Sequence, residues 1–219
     1  DRIGRWVNFK GAYKTMDNNY IESVWWAFKK LYEDGKVYEG EKVLMYCTQD
    51  STPLSKAEVT MDAGAYKDIT DPSVFVKFEL KPKQGEDNIY SDKEKVYLLA
   101  WTTTPWTLAA NTALAINKNL VYAEVKVNGE NFIVARDLLE KVLVDEKHQP
   151  VKYELLKQFD GEELVGREYK PLLGENRGKN AHKIWAEDFV SSEDGSGIVH
   201  IAPAYGEDDF NMAQKHHIP

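Results

Sequence analysis
The chain has 219 residues, 42% of them hydrophobic and 12% aromatic, enough apolar material for a sizeable core in one domain or two small ones. Its 36 Asp and Glu outweigh 28 Lys and Arg, a net charge of -8. That is the wrong sign for a surface that grips a long duplex through its phosphates, so any nucleic acid met here is expected to be met at a short end. A single cysteine, Cys47, excludes an internal disulfide and a multi-cysteine zinc site. With no initiating Met, no leader and no apolar run near the roughly 18 residues of a membrane span, the chain is expected to be a soluble, cytoplasmic piece cut from a longer protein.

From residue 17 to 34 the apolar positions Tyr20, Ile21, Val24, Trp25, Phe28, Leu31 and Tyr32 recur every three or four residues. This predicts an amphipathic helix that Asp17 can cap and Gly35 can stop. Its aromatic-rich face is expected to be buried by core packing. Strand periodicity then takes over, in residues 37–46, in 74–80 with Val74, Val76, Phe78 and Leu80 on one face, and in 96–101. The polar stretch 81–95 reads as a surface loop. Residues 122–127 and 131–135 flank Asn128-Gly129, a hairpin signal because both central positions of a type I′ turn need positive φ. Residues 136–144 read as a short helix, 153–159, 163–165 and 197–201 as strands, and 208–217 as a closing helix after Gly206. Many short strands with few helices predict an α+β class, a β-rich, barrel-like sheet with peripheral helices. Residues 1–45 read as a connecting segment carrying the first helix, and 46–219 as the body.

Two clusters carry chemistry. In Trp101-Thr102-Thr103-Thr104-Pro105-Trp106-Thr107 three hydroxyls stand where an apolar strand ends. Such a run can be an ordinary edge strand whose hydroxyls satisfy nearby backbone, with Pro105 ending it. The second cluster, residues 195–210, holds two glycines that permit close backbone approach, His200 among apolar strand residues, and the pair Asp208-Asp209 ahead of a helix. Taken alone, the histidine reads as a satisfied core residue and the carboxylates as helix caps.

Together and in this order, the clusters resemble the two signature segments of the editing domain of class I aminoacyl-tRNA synthetases for branched aliphatic amino acids. Within that family they are similar to the isoleucyl branch. Leucyl and valyl relatives carry Thr-Thr-Arg-Pro where this chain has Thr104 before Pro105, and they lack the Val-His-x-Ala-Pro pattern of Val199 to Pro203. The opening, Asp1 to Val7 and Tyr13 to Asp17, looks like the connection through which this insertion leaves the catalytic core. One departure stands out. Many members have Cys-x-x-Cys near residues 46–55, but here Asp50 replaces the second cysteine, so neither zinc nor any other cofactor is expected. No His-x-Gly-His or Lys-Met-Ser-Lys-Ser segment is present, so aminoacylation is not expected of this chain.

The resemblance implies a hydrolase that removes valine from mischarged tRNA(Ile) at a second, size-excluding site. It implies the tRNA 3′ end carrying valine and the remainder of the synthetase as partners, and no membrane. An aminoacyl ester is already activated and needs a positioned water more than a nucleophile. By the family pattern Asp209 holds the substrate ammonium, while Thr102, Thr103 and Thr104 are candidates to stabilise the oxyanion or hold the water. His200 is expected to line the pocket and exclude isoleucine, or to bond the ribose. Trp101, Trp106 and Asn111 are expected as pocket wall or contacts to the terminal adenosine. The alternative is a non-catalytic module that binds the tRNA 3′ end or spaces two domains. The threonine run kept together with Asp209 speaks against that. The contexts of Thr104 and His200 speak against a valyl or leucyl type, and five scattered histidines against metal-dependent hydrolysis.

Overall fold
A computed structural model describes residues 4, 6, 8, 10–60, 64–82, 95–145, 147–174 and 178–219. The chain divides into two compact units, Asp1–Glu41 and Lys42–Pro219.

The first unit is built on helix α1, Asn18–Glu33. It begins after Asp17, whose extended backbone ends the preceding segment without a side-chain cap bond. It ends in a Schellman arrangement, with the Gly35 N–H donating to Tyr32 O (3.0 Å) and the Lys36 N–H to Leu31 O (2.9 Å). The expectation that its aromatic face would be buried is overturned. No residue of α1 is buried, and Trp25 and Trp26 are about two-thirds exposed. The cause is simple: among the described residues this unit supplies no second element to cover the face.

The second unit holds the strands. A two-residue hairpin, β1 (Tyr46–Cys47) and β2 (Thr52–Pro53), is all that forms of the strand expected over 37–46. No strand forms over residues 37–45, where Met45 O accepts from the Leu54 N–H (2.8 Å) as the hairpin's outer bond. A five-stranded sheet follows from β3 (Val74–Glu79), β4 (Val96–Thr102), β6 (Val121–Val127), β7 (Glu130–Ala135) and β8 (Glu154–Asp160), in the order β3-β4-β7-β6-β8. Its pairs are antiparallel except β4 with β7. A three-stranded sheet, β10-β5-β9, is made by β5 (Ala113–Ile116), β9 (Lys183–Ala186) and β10 (Ile198–Ile201). Here β10 runs antiparallel to β5, and β9 parallel to it. The described strands form three sheets, none of them a closed barrel, so the class is α+β and the barrel-like expectation is not met.

The Asn128-Gly129 turn joins β6 to β7 with φ of 51° and 88°, as its chemistry demands. The strand expected at 163–165 is instead a 3-10 turn, Gly161–Leu164, because Leu164 is drawn wholly into the core. The helix expected over 136–144 is shorter, a 3-10 turn at Arg136–Leu138 running into α2, Leu139–Val142. The loop expected at 81–95 falls mostly outside the described residues.

Phe78, Leu98, Leu114, Ile116, Tyr122 and Ile133 anchor the main core. A smaller core of Ala113, Ala115, Ile201, Met212 and Ala213 seats the last helix, α3 (Glu207–His216), on the three-stranded sheet. Met212 and Ala213 lie three and four residues beyond Asp209, so burying them turns Asp209 toward the protein and leaves Asp208 outside. Burial of the Met212 side chain contributes about 1.5–3 kcal/mol to holding that helix down.

Candidate active site
Strand β4 carries its hydrophobic residues into the core and delivers Thr102 at its end, buried. The chain then bends. The Thr104 N–H donates to Thr102 Oγ1 (3.0 Å), and the two hydroxyls lie 3.3 Å apart. Pro105 opens a 3-10 turn, Pro105–Ala110, its fixed φ suiting the first position. That turn brings Thr107 beneath the loop, where its hydroxyl donates to Thr104 O at 2.8 Å. Thr103 is half-buried and Thr104 exposed.

Across from this loop β10 runs beside β4 and presents His200, buried, with Nε2 2.9 Å from Thr107 Oγ1. Because the single Thr107 proton points to Thr104 O, the bonding pattern assigns the histidine proton to Nε2, which donates to Thr107. Nδ1 is left as a buried acceptor without a partner in the described protein. Burial pushes His200 below the usual histidine range, against the pull of nearby Asp209, so the ring is neutral at pH 7.

Asp209, in the first turn of α3, accepts a 2.7 Å bond from the Ala202 N–H, two residues beyond His200. Burial raises its carboxyl above the usual aspartate range, and neighbouring Asp208 adds to the rise. The Ala202 bond, the residue's own backbone N–H and His200 oppose it. A group is thus assembled in which hydrogen bonds lead from Thr102 and Thr104 through Thr107 to His200, with Asp209 within electrostatic reach of the histidine. It offers hydroxyls, an unused imidazole nitrogen and a carboxylate that a cation would relieve.

The remaining sequence candidates lie elsewhere. Strand alternation puts Trp101 on the face opposite Thr102, where it lines a cleft of about 200 Å³ with Phe189, Ser191, Asp194, Gly195 and Val199. Trp106 is turned outward by the 3-10 turn and is 72% exposed. Asn111 is buried and its amide is committed to the frame. Nδ2 donates to Ala113 O (2.8 Å) and Ile201 O (3.4 Å), tying β5 to β10, and Oδ1 accepts from the Tyr169 hydroxyl at 2.6 Å. Burial raises the Tyr169 hydroxyl far enough that it stays a donor. Tyr169→Phe is therefore expected to strand Asn111 Oδ1 and cost about 1–3 kcal/mol, read as a lower urea midpoint; a midpoint equal to wild type would show that the bond is not part of the frame.

Residue-by-residue reading did not single out Thr107 and Ala202. Thr107 could have been found from its place three residues after Thr104, one 3-10 turn on. Ala202 acts through its backbone, which no side-chain pattern signals. Among the described residues no three His, Cys, Asp or Glu side chains come together; Cys47 Sγ donates to Asp50 Oδ2 at 3.1 Å. No described helix is long and apolar enough to cross a membrane.

The candidate site thus combines a strand-end loop of hydroxyls, the buried His200 bonded to it and the half-buried Asp209. Residues 1–191 match the model of the class I tRNA synthetases (I, L, M and V), and the chain belongs to that family. Over its whole length it is 47% identical to the isoleucine--tRNA ligase of Clostridium novyi, 45% to that of Clostridium tetani and 43% to that of Chlamydia trachomatis. It spans 19–20% of the length of these relatives. Among solved structures, 66% of the chain aligns with 59% of GlLeuRS-CP1, at a TM-score of 0.53 and 20% identity. The same share aligns with 66% of the editing domain of the Plasmodium falciparum cytosolic leucyl-tRNA synthetase, at 0.50 and 13%. These two share its fold, in agreement with the resemblance of its two signature segments.

Proposed function
We propose that this chain is the editing domain of an isoleucyl-tRNA synthetase and hydrolyses the ester that joins valine to mischarged tRNA(Ile). The supporting observation is the set of hydrogen bonds that joins the threonine loop to His200 through Thr107, with the half-buried Asp209 within electrostatic reach of that histidine. A pocket that accepts isoleucine gains only about 1–3 kcal/mol over valine from one methylene, a magnitude for which the isoleucyl enzymes are themselves the standard example. A second site that shuts out isoleucine and cleaves what fits supplies the missing selectivity.

In this reading Asp209 receives the α-ammonium, which offsets the burial of its carboxylate. The hydroxyls of Thr102, Thr103 and Thr104 hold the attacking water and the developing oxyanion. Water oxygen bonds to the carbonyl carbon, the bond to the ribose oxygen breaks, and that oxygen leaves with a proton, giving free valine and tRNA. His200 closes the end of the side-chain pocket, and its bare Nδ1 accepts a bond from a donor on the substrate or its water. Trp101 and the exposed Trp106 serve the terminal adenosine, and Asn111 acts through the frame. The 3′ end of tRNA(Ile) and the rest of a cytoplasmic synthetase are the partners, with residues 1–45 as the connection to the catalytic core.

A stable valyl-adenosine analogue is expected to shift the amide resonances of Thr104, Ala202 and Asp209, and the isoleucyl analogue to bind at least about tenfold more weakly. Equal binding of the two would sink the size-exclusion reading. Trimming His200 to Ala opens the pocket, so Ile-tRNA(Ile) hydrolysis is expected to rise about tenfold relative to Val-tRNA(Ile). An unchanged ratio would remove His200 from the pocket wall.

A further inference from the structure
Helix α3 starts without a side-chain cap. Its N-cap is Gly206, with φ of -144°, a conformation open to any residue, so a glycine is not needed there for the backbone. Ser, Asn and Asp are the favoured residues at such a position, because they bond the free N–H groups of the first turn. What requires glycine is space. A Cβ on Gly206 would fall on Asp209 Oδ2 and stand 3.1 Å from Asp209 Cγ. The helix start is held by the Phe210 N–H, which donates to Gly206 O (3.0 Å), and the carboxylate is seated by the Ala202 N–H, which donates to Asp209 Oδ1 (2.7 Å).

We infer that Gly206 is a positioning residue, kept bare so that the Asp209 carboxylate can fold back across the helix start onto the Ala202 amide. This rests on the reading of Asp209 as the ammonium-binding group. The group in collision with an added Cβ is the free end of a side chain, so the helix survives a substitution and the carboxylate is what moves. A residue whose only task was to start α3 would be improved by serine. A residue that seats Asp209 is damaged by serine and alanine alike.

The test uses Gly206→Ala, Gly206→Ser, Asp209→Ala and the double variant Gly206→Ala/Asp209→Ala. In the first two, Val-tRNA(Ile) hydrolysis is expected to fall by roughly tenfold to a hundredfold, since displacing a group by about 1 Å can cost that much, while the thermal midpoint stays level or rises with serine. In the Asp209→Ala background the glycine substitution is expected to add nothing, because both act on one carboxylate. A separate readout needs no catalysis: the Ala202 amide proton in Gly206→Ala is expected at the position it takes in Asp209→Ala. An Ala202 resonance left at its wild-type position, or an equal loss of activity with and without Asp209, overturns the inference. Absence of hydrolysis by the wild-type chain would count against the functional reading, and the Ala202 resonance would then decide the seating of Asp209 by itself.

Discussion
Replacing Asp209 by Asn is expected to lower hydrolysis of Val-tRNA(Ile) by about 10²–10³-fold without lowering the thermal midpoint. The loss follows from removing one partner of a partly desolvated charge pair, which is worth about 2–5 kcal/mol. The unchanged or higher stability follows from the sign of the carboxyl's shift. Burial raises it above the usual aspartate range, so the charged form is disfavoured in the folded chain. That disfavour is absent below the ordinary aspartate range and is fully present once the pH has risen through the raised folded value, as it has at neutrality. Asparagine removes it there and can still accept the Ala202 N–H. In the wild type the same shift sets the acid side of the pH–rate profile. Activity is expected to be lost at a higher pH than an exposed aspartate would give. A less stable Asp209→Asn chain, or one with undiminished hydrolysis, would show that Asp209 is a helix cap and nothing more.

The second large effect is on stability. Gly197 has φ of 74°, and a Cβ added there would collide with Ala135 Cβ. Neither side can give way. Ala135 N–H donates to Ser196 O at 2.9 Å, and the Tyr122 hydroxyl donates to Gly197 O at 2.6 Å, so both backbones are tied together where β10 begins. Positive φ and overpacking act in the same direction, and Gly197→Ala is expected to cost about 2–5 kcal/mol. For a chain of this length that is a fall of the thermal midpoint on the order of 10 °C. His200 follows three residues later, so the damage should also reach the Thr107 bond. A midpoint close to wild type would mean that the Ser196-Gly197 link to β7 is slack.

The period of α1 and the glycine after it, and the Asn128-Gly129 turn, are local signals and were legible. Strand β5, Ala113–Ile116, was not: it is buried throughout, alternates in nothing, and two of its four residues are alanines, which carry little strand preference. Its place is set by β9 and β10, far away in sequence. The exposed face of α1 shows the converse, a helix whose period is clear while its cover is not among the described residues.

The same division runs through the site. Thr102, Thr104, His200 and Asp209 were readable as types at suggestive positions, and the fold links the first three by hydrogen bonds through Thr107 and sets Asp209 within electrostatic reach of His200. Trp106 and Asn111 sit close to the threonines in sequence, but one is rotated into solvent and the other is consumed by the frame. Proximity along the chain does not survive a 3-10 turn. Thr107 and Gly206 matter through what they touch or leave empty, and such roles appear only once the packing is known.

The most direct test is the rate at which the chain deacylates Val-tRNA(Ile) and Ile-tRNA(Ile), measured side by side at low salt and high protein concentration. The expected result is loss of valine at least about tenfold faster than loss of isoleucine, with the rate in Asp209→Ala cut by about 10²–10³-fold to a small residual. Cleavage of both esters at one rate, or selective cleavage that persists without Asp209, would contradict the account.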